Sequence, residues 1–248
     1  MHWRNRFYAV LAACCVSALA WAQADTLVAG AFSALKPGAT LPQNWKPLGV
    51  GSTIPRTRYS LVDDGGGTTV IKAEANASAA GLIRSIKVNL AEFPTLTWRW
   101  KISNLYKNSD IRSKQGDDYP ARVYVMFDYP LEKLSFIDRI KLRIARALHP
   151  NLPSATICYV WDNTAPAGTI VASSYTSLVR MIVVESGASR VNQWLAPERD
   201  VAADFKAAFG DAAPPVIAVA IATDSDNTGE SAVAFYGDIS FYKQKVTQ

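Results

Sequence analysis

The chain is short of the residues that carry most enzyme chemistry. Among 248 residues there are three cysteines and two histidines. Cys14, Cys15 and His2 fall in an N-terminal segment with the character of an export signal, which leaves Cys158 and His149. A lone cysteine cannot close an intramolecular disulfide, so a disulfide-stapled scaffold is excluded. No Cys/His spacing suits zinc. A His-dependent serine or cysteine hydrolase would rest entirely on His149. There are no internal repeats, no low-complexity tract and no linker that would divide the chain. No apolar run reaches the ~20 residues of a comfortable membrane span. Charge of one sign does not accumulate either: the formal net charge is +5, and no nucleic-acid motif accompanies it, so no nucleic-acid partner is expected.

The N-terminus does carry a signal. Arg4 and Arg6 precede an apolar run from Phe7 to Ala20, followed by Ala20-Trp21-Ala22 and Ala22-Gln23-Ala24. A basic start, a short apolar core and a small-x-small site predict a secretory signal peptide over residues 1–24, with Ala22 as a second cleavage point. Leu11-Ala12-Ala13-Cys14 resembles a lipobox, but the apolar run continues past Cys14. The expected address is therefore periplasmic or secreted. Residues 25–248 then form the mature chain, with a net charge of +3 once Arg4 and Arg6 are gone. That length suits one domain.

Val, Thr, Ile, Tyr, Phe and Trp recur in short runs split by Gly, Pro, Asn and Asp, which predicts a mainly β chain. Leu96-Thr97-Trp98-Arg99-Trp100-Lys101-Ile102 alternates most cleanly. Strand side chains alternate faces, so Leu96, Trp98, Trp100 and Ile102 share one face, and Thr97, Arg99 and Lys101 the other. Gly116-Asp117-Asp118-Tyr119-Pro120 leads into a second such strand, with Ala121, Val123, Val125 and Phe127 opposed to Arg122, Tyr124 and Met126. Phe32 is read as opening the first strand. Other strands are expected near 59–62, 69–75, 82–88, 155–161, 178–184, 216–221 and 234–241. The run 216–221 is apolar on both faces and is placed centrally. Two short helices are predicted. One carries the stripe Leu134, Ile137, Ile144 and Leu148, ends at Pro150 and is expected to pack on the sandwich with Arg139, Arg143 and Arg146 in water. The other runs from Val201 to Phe209 and stops at Gly210. Many short, antiparallel-looking strands suggest a two-sheet β-sandwich or jelly roll.

Four constellations are candidates for function. If Trp98 and Trp100 face the core with Val123 and Val125, then Arg99, Lys101, Arg122 and Tyr124 face away together. Arg180 would join them, with either Tyr159 and Trp161 or Cys158 and Val160. Aromatic rings stack on sugars, and arginine forks grip carboxylate or sulfate. The candidate ligand-binding set is Arg99, Arg122, Tyr124, Trp161 and Arg180, with an oligo- or polysaccharide as partner. The alternative reading is that a second layer covers this face and carboxylates pair its charges. Second, Asp224-Ser225-Asp226-Asn227-Thr228-Gly229-Glu230 resembles half of a calcium loop, but the twelfth position is Phe235, so it is no EF-hand. A structural calcium at Asp224, Asp226 and Asp238 is the metal candidate, and a hydrogen-bonded turn is its rival. Third, Asp117 or Asp118 with Arg122 could serve a glycoside hydrolase or polysaccharide lyase. Fourth, the basic helix with Lys133, Arg139, Lys141, Arg143 and Arg146 could meet an anionic membrane or an envelope partner. The charged-face-in-water reading is preferred, and membrane contact is not expected. Cys158 is expected to be buried and inert.

Several stretches together carry a family resemblance. They are Trp98-Arg99-Trp100-Lys101, Gly116 to Val125, Tyr159-Val160-Trp161, Glu198 to Gly210, Thr223 to Gly229, and Tyr236-Gly237-Asp238-Ile239-Ser240-Phe241. The chain resembles the bacterial domain-of-unknown-function family numbered 3047. That resemblance implies an exported bacterial β-sandwich similar to galactose-binding or other carbohydrate-binding jelly rolls. It implies no reaction and no catalytic residue.

Overall fold

In the computed structural model, residues 25–49, 53–148 and 152–243 are described. The predicted signal segment with Cys14 and Cys15, and also His149 and Pro150, lie outside the described residues. In chain order the elements are β1 Thr26–Gly30, β2 Lys46–Leu48, β3 Arg58–Asp63, β4 Thr69–Asn76, β5 Ala79–Val88, β6 Thr95–Ile102 and β7 Arg122–Phe127. There follow α1 Phe136–Leu148, β8 Ala155–Asp162, β9 Ile170–Ala172, β10 Val179–Ser186, β11 Glu198–Asp200, α2 Val201–Phe209, β12 Val216–Asp224 and β13 Ser231–Tyr242.

The strands form a two-sheet sandwich with two helices. The first sheet runs β11-β6-β13-β4-β3, with β1 also on β13, and the second runs β2-β5-β12-β7-β8-β10-β9. Strand β12 is central, as its apolar faces predict. Between the sheets lie Trp98 and Trp100 from β6, Val123, Val125 and Phe127 from β7, and Tyr159 and Trp161 from β8. Trp98 meets Trp100 edge to face at 5.3 Å and stacks on Tyr159 at 5.1 Å. Such pairs add about 0.5–1.5 kcal/mol each beyond the area they bury.

The two outer faces differ. On the second sheet, Cys158, Val160, Met181 and Val183 are sealed by Ile111 and Tyr119 from the loop between β6 and β7, with Ala165 and Val171 packed beside them. Cys158 is buried as expected, and burial pushes its thiol up to about 12. On the first sheet, β6 alternates half-buried and buried residues along its length, so its outer side chains reach solvent.

The structure corrects three expectations and adds three short strands. Strands β8 and β10 pair in parallel rather than antiparallel, because the chain between them crosses over and contributes β9 on the far side of β10. The first strand precedes Phe32, which sits in a short 3-10 turn packed against Trp45 at 5.3 Å. The three-residue strands β2, β9 and β11 are too short to show alternation. The stripe of α1 faces away from the sandwich: Ile137 and Ile144 are exposed, and among the described side chains of the helix only Leu142 is buried, that of Leu148 lying outside them. Polar bonds hold the helix instead. Asp138 accepts from the Ser177 hydroxyl at 2.7 Å, and Arg146 donates to the Leu152 carbonyl at 2.9 Å. By contrast α2 caps one end of the core with Phe205 against Phe127 at 4.7 Å. Asp200 accepts from the Ala203 amide to start α2, and Gly210 at φ +78° ends it.

Candidate functional site

The arginines expected on one surface go to three places. The sandwich puts Arg99 on the outer face of the first sheet and Arg122 on the outer face of the second. These faces point in opposite directions. Arg180 lies on the same side of β10 as the core residue Ile182 and lends its Nε to the Ala208 carbonyl at 2.9 Å, near the C-terminus of α2. Its guanidinium covers the Phe209 ring at 5.2 Å. A cation there complements the helix dipole. Trp161 is fully buried in the core, with its indole N–H on the Gly187 carbonyl at 3.1 Å. Tyr124 is half-buried among Cys158, Val160 and Met126 and their neighbours. None of these four presents an open ligand surface.

Arg122 is instead the centre of a buried charge cluster. Its Nε and Nη2 grip Asp224 at 2.9 and 2.5 Å, and Nη1 reaches Asp117 at 3.4 Å. Nη2 also donates to the Asp117 carbonyl at 2.6 Å, and the guanidinium lies over the Tyr119 ring at 4.4 Å. Asp118 accepts from the Asn227 and Thr228 amides at 3.3 and 2.6 Å. The cluster therefore ties the loop before β7 to the turn between β12 and β13. Gly116 permits the tight approach, since a Cβ there would stand 2.4 Å from the Asp110 nitrogen. Burial pushes Asp224 up to about 7 against the pull of Arg122, and burial likewise raises Asp117. Asp117 and Asp118, the carboxylates of the alternative hydrolase or lyase reading, are thus bonded within the fold.

The metal candidates are partly reunited. Oxygens of Asp118, Asp224 and Asp226 lie within 4.8 Å of one another. Asp238 is not with them: it sits on β13 and accepts hydrogen bonds from the Ser33 amide and hydroxyl. Asp118 takes its place in the trio. The donor set is hard oxygen and would suit calcium in type. Arg122 already supplies a positive charge to Asp224, however, and both Asp118 oxygens already accept backbone amides.

What remains open is the outer face of the first sheet. Strands β6, β13 and β4 are neighbours in register, with Phe235 opposite Lys101 on one side and Lys72 on the other. The segment after β10 runs back along β6, with Leu195 bridged to Trp100, and brings Trp194 over the face. Trp194 and Phe235 stand 6.3 Å apart at 62°. The Lys101 ammonium lies 5.0 Å from the Trp194 ring and 4.6 Å from Phe235, and Arg99 lies 4.6 Å from Trp194. Arg99 reaches Asp64 at 3.4 Å, and Lys72 reaches Glu74 at 2.9 Å. Asp64 is held below its ordinary value, first by the Gly66 amide and, against the cost of burial, also by the Thr68 amide and Arg99. Lys101 meets no carboxylate among the described residues. Gly237 makes room beside this patch, since a Cβ on it would meet the Arg99 Cβ at 2.9 Å. Grooves of about 490 and 450 Å³ adjoin the patch, the first lined by Arg58, Glu74 and Val233 and the second by Trp194, Glu185 and Arg199. Sequence reading found Arg99 and Lys101 here and missed Trp194 and Phe235. The near-alternation of Val233 and Phe235 on β13 was the available signal for one. Trp194 sits in a segment with no periodicity.

Residues 43–240 match the family described as "Protein of unknown function (DUF3047)". The chain belongs to that family. No curated protein matches it. Among solved structures it is similar to a family 29 carbohydrate binding module, at 12% identity over 88% of this chain and 91% of that one, with a TM-score of 0.34. It is also similar to the xyloglucanase domain of NopAA from Sinorhizobium fredii, at 9% identity over 81% and 93% with a TM-score of 0.43. A family 12 xyloglucanase from Bacillus licheniformis matches at 9% identity over 88% and 100%, with a TM-score of 0.45.

Proposed function

We propose that this member of the DUF3047 family binds an acidic glycan on the outer face of its first sheet, through Arg99, Lys101, Trp194 and Phe235. One observation carries the reading: the Lys101 ammonium lies against two aromatic rings, and no carboxylate among the described residues pairs with it. Rings of this kind offer flat apolar area for sugar faces, and the cations beside them select carboxylate or sulfate. The adjoining grooves lengthen the track, which suits a chain rather than a single sugar. Export to the periplasm or beyond is part of the proposal, and β1 beginning at Thr26 is compatible with a mature chain starting at Asp25. A hydrolase or lyase centred on Asp117 or Asp118 finds no support in carboxylates that are bonded within the fold.

Calorimetry with polygalacturonate, heparin and neutral xyloglucan tests the binding. The expected result is salt-sensitive binding to one of the anionic chains and none to xyloglucan. Trp194→Ala or Lys101→Ala should weaken it by at least about tenfold, the size of one good desolvated cation–π or anchoring contact. Failure to bind either anionic polymer, or binding indifferent to both substitutions, would refute the proposal.

A further inference from the structure

The helix α1 exposes the residues that a helix on a soluble domain normally buries. Phe136 is 72% exposed, Ile137 62%, Ile140 42% and Ile144 65%. At about 100° per residue these four fall within a single arc of about 100°. The opposite side carries Leu142, Asp138, Arg139 and Arg146, which are buried or half-buried and include the polar bonds that hold the helix down. Lys141 and Arg143, both exposed, fall just beyond the two edges of the apolar arc. The result is an apolar ridge running outward between two basic rails. The only carboxylate in the helix, Asp138, is engaged by Ser135 and Ser177 and lies on the protein side.

We infer that α1 is a docking helix for an anionic lipid surface. Contiguous exposed apolar side chains of this kind mark an interaction site. A ridge of Phe and Ile with Lys and Arg at its margins matches a bilayer interface, where the apolar arc enters the acyl boundary and the cations meet headgroup phosphates. Charge complementarity favours lipid over a second copy. Two copies joined through this ridge about a twofold axis would bring their Lys141 and Arg143 rails together. The proposed glycan face is on the first sheet, whereas α1 is anchored beside the starts of β8 and β10 on the second, so the two proposals stand separately.

Vesicle flotation of the chain from residue 25 tests the inference. It would use phosphatidylcholine vesicles with and without phosphatidylglycerol. Flotation is expected with the anionic vesicles, weaker by about tenfold or more on phosphatidylcholine alone and reduced by salt. Ile137→Asp with Ile144→Asp should abolish it, and Lys141→Glu with Arg143→Glu should reduce it at least about tenfold. Unchanged thermal unfolding should accompany both, because all four side chains are exposed. No flotation on anionic vesicles would overturn the inference, as would flotation that survives both double variants. Loss in the basic pair alone would mean adsorption by charge without the ridge and would also overturn it. A dimer dissociated by the isoleucine variants, with no flotation, would show instead that a second copy covers the ridge.

Discussion

Arg122 was visible in the sequence as a charged residue on an otherwise apolar strand, but its partners were not. Asp117 and Asp118 lie just before it, and Asp224 lies over a hundred residues later. Their meeting depends on β12 pairing with β7, which places Ala222 opposite Arg122 and Asp224 just beyond. A guanidinium removed from such a cluster leaves buried carboxylates unpaired, a change that costs about 3–5 kcal/mol. Arg122→Met is therefore expected to lower the unfolding free energy measured in urea by an amount of that order. It also bears on calcium. In the native chain Arg122 already pairs with Asp224, so a thermal shift in calcium or EDTA is expected only in the Met variant. That variant frees Asp224 to join Asp118 and Asp226. A calcium shift in the native protein would show that the trio binds metal despite the arginine.

The helices were legible in different degrees. For α2 the expected span from Val201 to Phe209 and the stop at Gly210 agree with the observed helix, which Asp200 caps. Removing the cap should test that agreement: Asp200→Ala is expected to cost about 1 kcal/mol in chemical unfolding while leaving the mature fold intact. For α1 the period was legible and the direction was not. An amphipathic pattern tells which residues share a side, but either side can be the one that docks. Here the polar side makes the bonds to the protein, so the apolar side is left in solvent. The strands behave alike. Alternation on β6 and β7 correctly separated core from non-core residues. It could not say that the non-core face of β7 lies under Tyr119 and Ile111, because covering loops leave no periodic trace.

The two sheets share one continuous core that draws on β1, β3 to β8, β10, β12 and β13 and on α2, including Trp98, Val125, Ile182, Phe205 and Ile221. A core spread over every layer predicts a single cooperative transition for residues 25–248. Far-ultraviolet dichroism and tryptophan fluorescence should report coincident melting, and two separated transitions would indicate two domains. The proposed export is tested by N-terminal sequencing of the protein recovered from cells, which is expected to begin at Asp25.

Local chemistry was sufficient for the β class, the sandwich, the central place of β12, the burial of Cys158 and the family membership. Each follows from side-chain alternation, turn residues or an ordered set of motifs, all of which are short-range properties of the chain. The placement of Arg99, Arg122 and Arg180 on three separate surfaces was decided only by the tertiary structure. So were the exchange of Asp238 for Asp118 beside Asp224, and the arrival of Trp194 beside Lys101. These depend on which strands pair, which sheet each joins and what covers each outer face. Such long-range choices arise from the burial of the whole core and cannot be read from any single strand.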